Sequence, residues 1–403
     1  MGYKRCLADP DVYMKARSRA DGTTFWEYIL CYVDDILYLG LDPKSFMDKL
    51  QTVFKLKNGY SSPKTFLGAE FQRFELNENG QTHQFWGLGM NEYIVRAITE
   101  IETRTLKEFN LKFPTRVAAP MRPGYHPELD FTQELVDNGV NFYQGLIGTL
   151  RWIVEVARID LAHAVSVMSS YMSAPRIGHL VEVLHVFAYL KLKPNLSLVL
   201  DAREPILKRD VSLCAENSWG DFYPEAIESI PSNMPEPRGR AVSTHTFVDA
   251  DWAGNLANRR SHTGMVLFLQ SAPIIWVSKR QKTVETSTYG AELCAMKLAI
   301  EMIEGLRYKI RMMGIPIQGS TLVYCDNESV VHNLSNPEST LKKKHVSIAF
   351  HKTRESVASK AVEVHRVKSD LNTSDILTTT FSGSKTEYHT LNLLLDNASN
   401  TVK

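Results

Sequence analysis

Residues 245–254 read His-Thr-Phe-Val-Asp-Ala-Asp-Trp-Ala-Gly, and residues 321–328 read Thr-Leu-Val-Tyr-Cys-Asp-Asn-Glu. Each holds a short apolar run, rich in β-branched and aromatic residues, that ends in an aspartate: Asp249 and Asp326. Such runs favour strands. Between them the spacing predicts two more strands, Met265–Leu269 and Ile274–Ser278, and then a long helix. Leu293, Met296, Ala299, Ile300, Ile303, Leu306 and Ile310 fall on one helical stripe. Beyond Asp326 come helical segments at 329–334 and 346–358, a strand at 362–367 and a last helix starting near Ser374. Three sequential strands followed by alternating helix and strand predict an α/β (mixed α+β) unit: a mixed sheet with flanking helices.

Four acids mark the ends of these elements. Asp249 closes the first strand, Glu292 lies in the first turn of the long helix, Asp326 ends the fourth strand and Asp375 opens the last helix. Singly, each is ordinary turn, cap or helix-dipole chemistry. Together, on one sheet, they suit a cluster of hard oxygen ligands. Such a cluster binds two divalent ions that activate water and stabilise the leaving oxygen of a phosphodiester. Asp251, two residues from Asp249, is expected to play only a supporting part.

The N-terminal half reads differently. Phe25–Val33 and Ile36–Leu39 are β-prone runs separated by Asp34-Asp35, a hairpin with an acidic tip. Asp-Asp is a poorer two-residue turn than Asn-Gly, so turn propensity does not explain the choice. Strands are expected at 66–74 and 84–88. Pro114, Pro120, Pro123 and Pro127 mark a loop, and Phe142–Leu192 carries helical periodicity, split into two helices by Pro175. Five prolines between Ala202 and Arg240 read as a linker.

The 403 residues are 44% apolar and 23% charged, which excludes a disordered or collagen-like chain. No uninterrupted apolar run approaches the roughly 18 residues needed to span a bilayer. The start, MGYKRCLADPD, lacks the apolar core of a signal peptide. Five scattered cysteines give neither a disulfide framework nor a zinc pattern. An intracellular setting without a membrane partner is expected. Forty-six basic against 45 acidic residues leave no general basic excess, but local patches exist. Lys342, Lys343 and Lys344, with His345, Lys352 and Arg354, form one, and Lys279, Arg280 and Lys282 another; both are expected to meet phosphates. Asn327 is a candidate contact to a 2′-hydroxyl. His345, His351 and His365 are candidate proton-transfer groups, and Trp252 and Trp276 are expected in the core.

The blocks FVDADWAGNLANRRSHTGMVLFL, IIWVSKRQKTVETSTYGAELCAM, LVYCDNESVV, KKKHVSIAFHKTRE and NTSDILT occur in order. Together they resemble the ribonuclease H domain of copia-type retrotransposon polyproteins. The resemblance implies that Asp249, Glu292, Asp326 and Asp375 hold two Mg2+ (or Mn2+) ions and cut the RNA strand of an RNA–DNA hybrid. Glu328 departs from the family's usual Gln, and Thr-Thr-Thr follows the last motif where Lys-Pro is typical. Cys-Tyr-Val-Asp-Asp-Ile-Leu-Tyr-Leu-Gly is similar to a reverse-transcriptase hairpin, which would make Asp34 and Asp35 polymerase-like. Ala8-Asp9-Pro10-Asp11 is similar to the stretch ahead of it, and 143–172 to the thumb and connection. The implied organisation is a partial palm (1–110), a helical thumb/connection (111–201), a linker (202–240), a ribonuclease H-like domain (241–381) and a tail (382–403). Only 33 residues precede Asp34, and none resembles the strand bearing the family's third polymerase carboxylate. The expectation is a polymerase part incomplete on its own, with the upstream polyprotein half as a possible partner. An element remnant that only binds nucleic acid is the alternative.

Overall fold

The computed structural model describes residues 1–56, 59–78, 80–207, 219–341 and 344–396. The chain opens with β1 (Lys4–Arg5), β2 (Val12–Ser18), β3 (Thr24–Tyr32) and β4 (Asp35–Leu39), an antiparallel sheet in sequence order. Helix α1 (Pro43–Gln51) follows, started by Asp42, whose side chain accepts from the Ser45 N–H at 3.0 Å, and by Pro43 at the first helical position. The sheet is apolar on both sides. Ile29 and Tyr38 pack on Phe46 and Leu50 of α1, while Cys6, Val12 and Met14 pack on Met312.

Next come β5 (Thr65–Phe66), β6 (Ala69–Glu78), β7 (Gln81–Gly89), α2 (Asn91–Phe109), α3 (Asp137–Val156), α4 (Ala162–Ser169), α5 (Ile177–Leu192) and β8 (Leu196–Leu200). Leu67 and Gly68, both at positive φ, turn β5 into β6. Helix α2 was not expected, although Ile94, Ile98, Ile101 and Thr105 form its buried stripe. The helical stretch has three helices, not two. It breaks at Arg158–Asp160, a fully buried ion pair in which Arg158 Nε and Nη2 donate to Asp160 at 2.9 and 2.7 Å. Arg158 Nη1 also donates to the Lys193 carbonyl at 2.8 Å. Each charge is thus satisfied by a partner, as burial demands.

The third group is β9 (Thr244–Ala250), β10 (His262–Leu269), β11 (Ala272–Arg280), α6 (Thr288–Met312), β12 (Thr321–Cys325), α7 (Glu328–Ser335), α8 (Ser347–Ala358) and β13 (Val362–Arg366). Its sheet runs β11-β10-β9-β12-β13, antiparallel through β9 and parallel from β9 to β13. This is the mixed sheet with flanking helices that the sequence predicts. Val248, Met265 and Leu267 pack under α6 and α8, while Val266 and Phe268 join the core of α3–α5. Both faces are covered, so β10 is apolar nearly throughout.

Two segments differ from the sequence reading. Within the expected tail, α9 (Gly383–Leu391) leads to β14 (Leu394–Asp396), which pairs with β8 in a sheet ordered β14-β8-β7-β6-β5. Of the proline-rich stretch, the described residues 219–240 are strapped down. Glu228 accepts from Arg307 at 2.6 and 3.0 Å and from Arg311 at 2.6 and 2.7 Å. The Arg238 N–H donates to the Gly314 carbonyl at 2.8 Å, and Trp26 Nε1 to the Glu236 carbonyl at 3.0 Å. Among the described residues no helix is long and apolar enough to cross a membrane.

The two guanidiniums outweigh burial and hold the Glu228 carboxyl down to about 2. Its contribution is therefore full above the ordinary carboxyl range and fades as pH falls toward 2. Glu228→Gln leaves the buried Arg307 without a counter-charge. The expected cost is about 2–3 kcal/mol, below the ~3–5 kcal/mol of a fully buried pair. Urea unfolding at neutral pH measures it, and limited proteolysis should cut 222–240 sooner in the variant.

Candidate active site

β9 and β12 lie side by side in parallel, with Phe247 opposite Tyr324. Two residues further on, the same offset brings together Asp249, second from the end of β9, and Asp326, the residue after β12. Asp375 arrives from a five-residue 3-10 turn (Thr373–Leu377), not from the opening of an α-helix as expected. Buried Asn372 pins that turn: its Nδ2 donates to the Val248 carbonyl at 3.1 Å, and its Oδ1 accepts from Ser374 Oγ at 2.6 Å. Gly264, opposite Asp249 on β10, lets the turn lie against the sheet. A methyl there would meet Thr378 Cγ2 at 2.7 Å and the Ser374 carbonyl at 2.9 Å. Glu292 descends from α6, in its second turn and not its first.

One carboxylate oxygen each of Asp249, Asp326 and Asp375 lie within 4.8 Å of one another. Glu292, Cys325 and Asp326 form a second such group. Burial pushes Asp249 up to about 6, and Asp326 adds repulsion against a hydrogen bond from Thr378 Oγ1. Burial, then Asp249 and Asp326, lift Asp375 to about 8. Glu292 is raised well above the ordinary range, by burial first and by Asp249 and Asp326 next. It is 6% exposed, and its Oε2 has no hydrogen-bond partner. Ser369 Oγ donates to Asp326 at 2.7 Å. Mutually repelling carboxyls with an orphaned buried oxygen are a donor set that a divalent cation would satisfy.

The other expected residues are placed unevenly. Asp251 lies beyond the strand end, accepts from the His262 N–H, and is pushed up to about 6 by burial. It joins neither group of ligands. Lys279, Arg280 and Lys282 line a hollow of about 270 Å³ with Arg151 and Arg260. Asn327 caps α7, its Oδ1 accepting from the Val330 N–H at 3.2 Å. Lys342 and Lys343 lie outside the described residues; Lys344 is exposed at the foot of α8. Arg354 is no surface cation: it is buried and donates to the carbonyls of Asn333, Asn336 and Pro337. Lys352 pairs with Glu304 at 2.8 Å. His345 sits 3.4 Å from Glu285, His351 bonds Tyr223 Oη at 2.8 Å, and His365 is sealed 3.4 Å from Glu363. Trp252 is half-exposed rather than in the core, and Trp276 donates across to the Val154 carbonyl at 3.1 Å.

At the N-terminal hairpin the two-residue turn is Val33-Asp34, and Asp35 is the first residue of β4, opposite Tyr32. Val33 is 94% exposed at φ +53°, an outlying backbone for a β-branched residue. Neither Asp34 nor Asp35 belongs to a group of three potential ligands among the described residues.

No protein-family model matches the chain. Across 385 residues, 94% of the chain, it is 25% identical to the retrovirus-related Pol polyprotein from transposon RE1 of Arabidopsis thaliana. Across 399 residues, 96% of the chain, it is 27% identical to that from transposon TNT 1-94 of Nicotiana tabacum. These relatives, with that from transposon RE2 of Arabidopsis thaliana, are Pol polyproteins of copia-type transposons. The chain spans 22% and 25% of the lengths of these two relatives. Among solved structures, a ribonuclease H1 from compost covers 34% of this chain and 92% of its own, at 17% identity and TM-score 0.28. A foamy viral protease-reverse transcriptase, solved with an RNA/DNA hybrid, covers 89% of this chain and 59% of its own, at 12% identity and TM-score 0.23.

The sequence reading missed Gly264, Asn372 and Thr378 as builders of the site. Asn372 was legible in Asn-Thr-Ser-Asp, whereas Gly264 matters only through what packs on it. Gly264→Ala is expected to lose about 1–3 kcal/mol, the cost of overpacking, in urea unfolding. An unchanged midpoint would mean that the 373–378 segment yields freely.

Proposed function

We propose that this chain hydrolyses the RNA strand of RNA–DNA hybrids at Asp249, Glu292, Asp326 and Asp375. The observation that carries the reading is the convergence of these acids from four separate elements with Glu292 Oε2 left unpartnered. Two Mg2+ or Mn2+ ions, when bound, would supply water activation and leaving-group stabilisation. The protein's part is positional. Asp249 and Asp326 are set by the strand register, Asp375 by the Asn372 clamp, and Glu292 by the packing of α6. Thr378 and Ser369 orient the first two carboxylates through hydrogen bonds. Residues 241–381 would carry the hydrolysis. The hairpin at Asp34 and Asp35 would resemble a polymerase element without itself holding the ions that polymerisation needs.

A hybrid duplex also needs a track for its phosphates. Arg151, Arg260, Lys279, Arg280 and Lys282 share one hollow with Ser166, Ser169 and Ser170. None of the five cations has an ion-pair partner among the described residues. Arg260 and Arg280 also line an adjoining cavity of about 300 Å³ that reaches Asp251 and Thr378, whose hydroxyl donates to Asp249. Such a track supplies affinity rather than sequence choice.

The test is Mg2+-dependent cleavage of a labelled RNA–DNA hybrid by the full chain. Glu292→Gln should cut at least ~10²-fold more slowly, the scale seen when one transition-state-stabilising group is removed. Equal cleavage by the two proteins would end the assignment. Hybrid binding without cleavage by folded wild type would favour a binding remnant. Replacing Lys279, Arg280 and Lys282 together with Ala should weaken hybrid binding. Each lost phosphate contact should also flatten the log–log salt dependence by about 0.9, as read by fluorescence anisotropy across a salt series.

A further inference from the structure

The two groups of ligand atoms share Asp326 but differ in chemistry. Asp249, Asp326 and Asp375 offer oxygen alone, whereas Glu292, Cys325 and Asp326 offer two oxygens and a sulfur. We infer that the Glu292–Cys325–Asp326 half of the site takes a thiophilic divalent cation, zinc or cadmium. The inference rests on reading the acids as a divalent-cation site and adds that its halves are not equivalent.

Three observations support it. Cys325 is the last residue of β12, 0% exposed, and its backbone is fixed by the β13 pairing and by the Val367 N–H at 3.1 Å. The strand therefore sets where Sγ points. Glu292, nine-tenths buried, presents an oxygen with no other partner. The donors are also close enough to converge. Zinc–sulfur bonds of about 2.3 Å and zinc–oxygen bonds of about 2.0–2.2 Å set tetrahedral donors about 3.5 Å apart. Donors within 4.8 Å of one another reach that spacing through side-chain shifts of about an ångström or less. Soft thiolate ligands select zinc-like ions over magnesium. Cys325 binds as thiolate, releasing its proton to solvent, and no electron moves. An ion seated there occupies Glu292 and Asp326, so it competes with the hard ion that hydrolysis would use.

The experiment titrates Cd2+ into the full chain without nucleic acid and reads the ultraviolet sulfur-to-cadmium charge-transfer band. The band should saturate at one cadmium per chain. It should vanish in Cys325→Ser and persist in Cys294→Ser. Glu292→Gln, which keeps the thiol, should weaken cadmium binding by about tenfold or more. Circular dichroism checks the fold of each variant. If Cys325→Ser does not fold, Glu292→Gln decides. No band in folded wild type, a band that survives Cys325→Ser, or unchanged affinity in Glu292→Gln would each overturn the inference. Failure of the nuclease reading is separate: a chain that binds cadmium this way yet never cuts a hybrid loses only that reading.

Discussion

Between β9 and β12 the parallel register sets Phe247 beside Tyr324, their rings stacked at 5.1 Å. Two residues on, that offset sets Asp249 beside Asp326. Everything at the site is built against this pair. Asn372 reaches the β9 backbone, Gly264 faces Asp249 from β10, and Glu292 comes down from the helix that crosses the sheet. A slip of one residue between the strands would turn one carboxylate to the opposite face and leave the others without a centre.

That centre is electrostatically costly by itself. Asp249, Asp375 and Glu292 all bind protons more readily than free carboxyls, first through burial and then through one another. The cost is tolerated because the surrounding sheet is covered on both faces, by α6 and α8 on one side and by the α3–α5 core on the other. A site that stores repulsion is what a bound cation relieves, so stability is given up locally where binding recovers it.

Helix α6 links the parts of the molecule. Near its N-terminal end it holds Glu292; near its C-terminal end Arg307 and Arg311 grip Glu228, and Met312 seats the first sheet through Cys6, Val12 and Met14. Tyr28 Oη also donates to the Met313 carbonyl at 2.8 Å. Its 25 residues, at about 1.5 Å each, span about 37 Å. The Asp34-Asp35 sheet and the four carboxylates are thus fixed to opposite ends of one rigid element.

Local sequence determined much of this. The runs ending in Asp249 and Asp326 are strands because β-branched and aromatic side chains fit a buried pleat. The α6 stripe is a helix because its apolar residues recur on one face. The four acids could be picked out because each stands at an element's end. Other features depend on partners distant in sequence. The break at Arg158 needs Asp160 and the Lys193 carbonyl; the burial of Arg354 needs three carbonyls from 333–337. Prolines at 205–237 read as a linker because nothing local announces that Glu228 meets two arginines some 80 residues on. The closing strand β14 has no meaning without β8. Residue type and spacing decided which elements form and where the acids stand on them. Only the tertiary structure decided which acids meet, that Cys325 sits beside them, and which charges are buried, because those outcomes depend on register and packing between segments that are far apart in the chain.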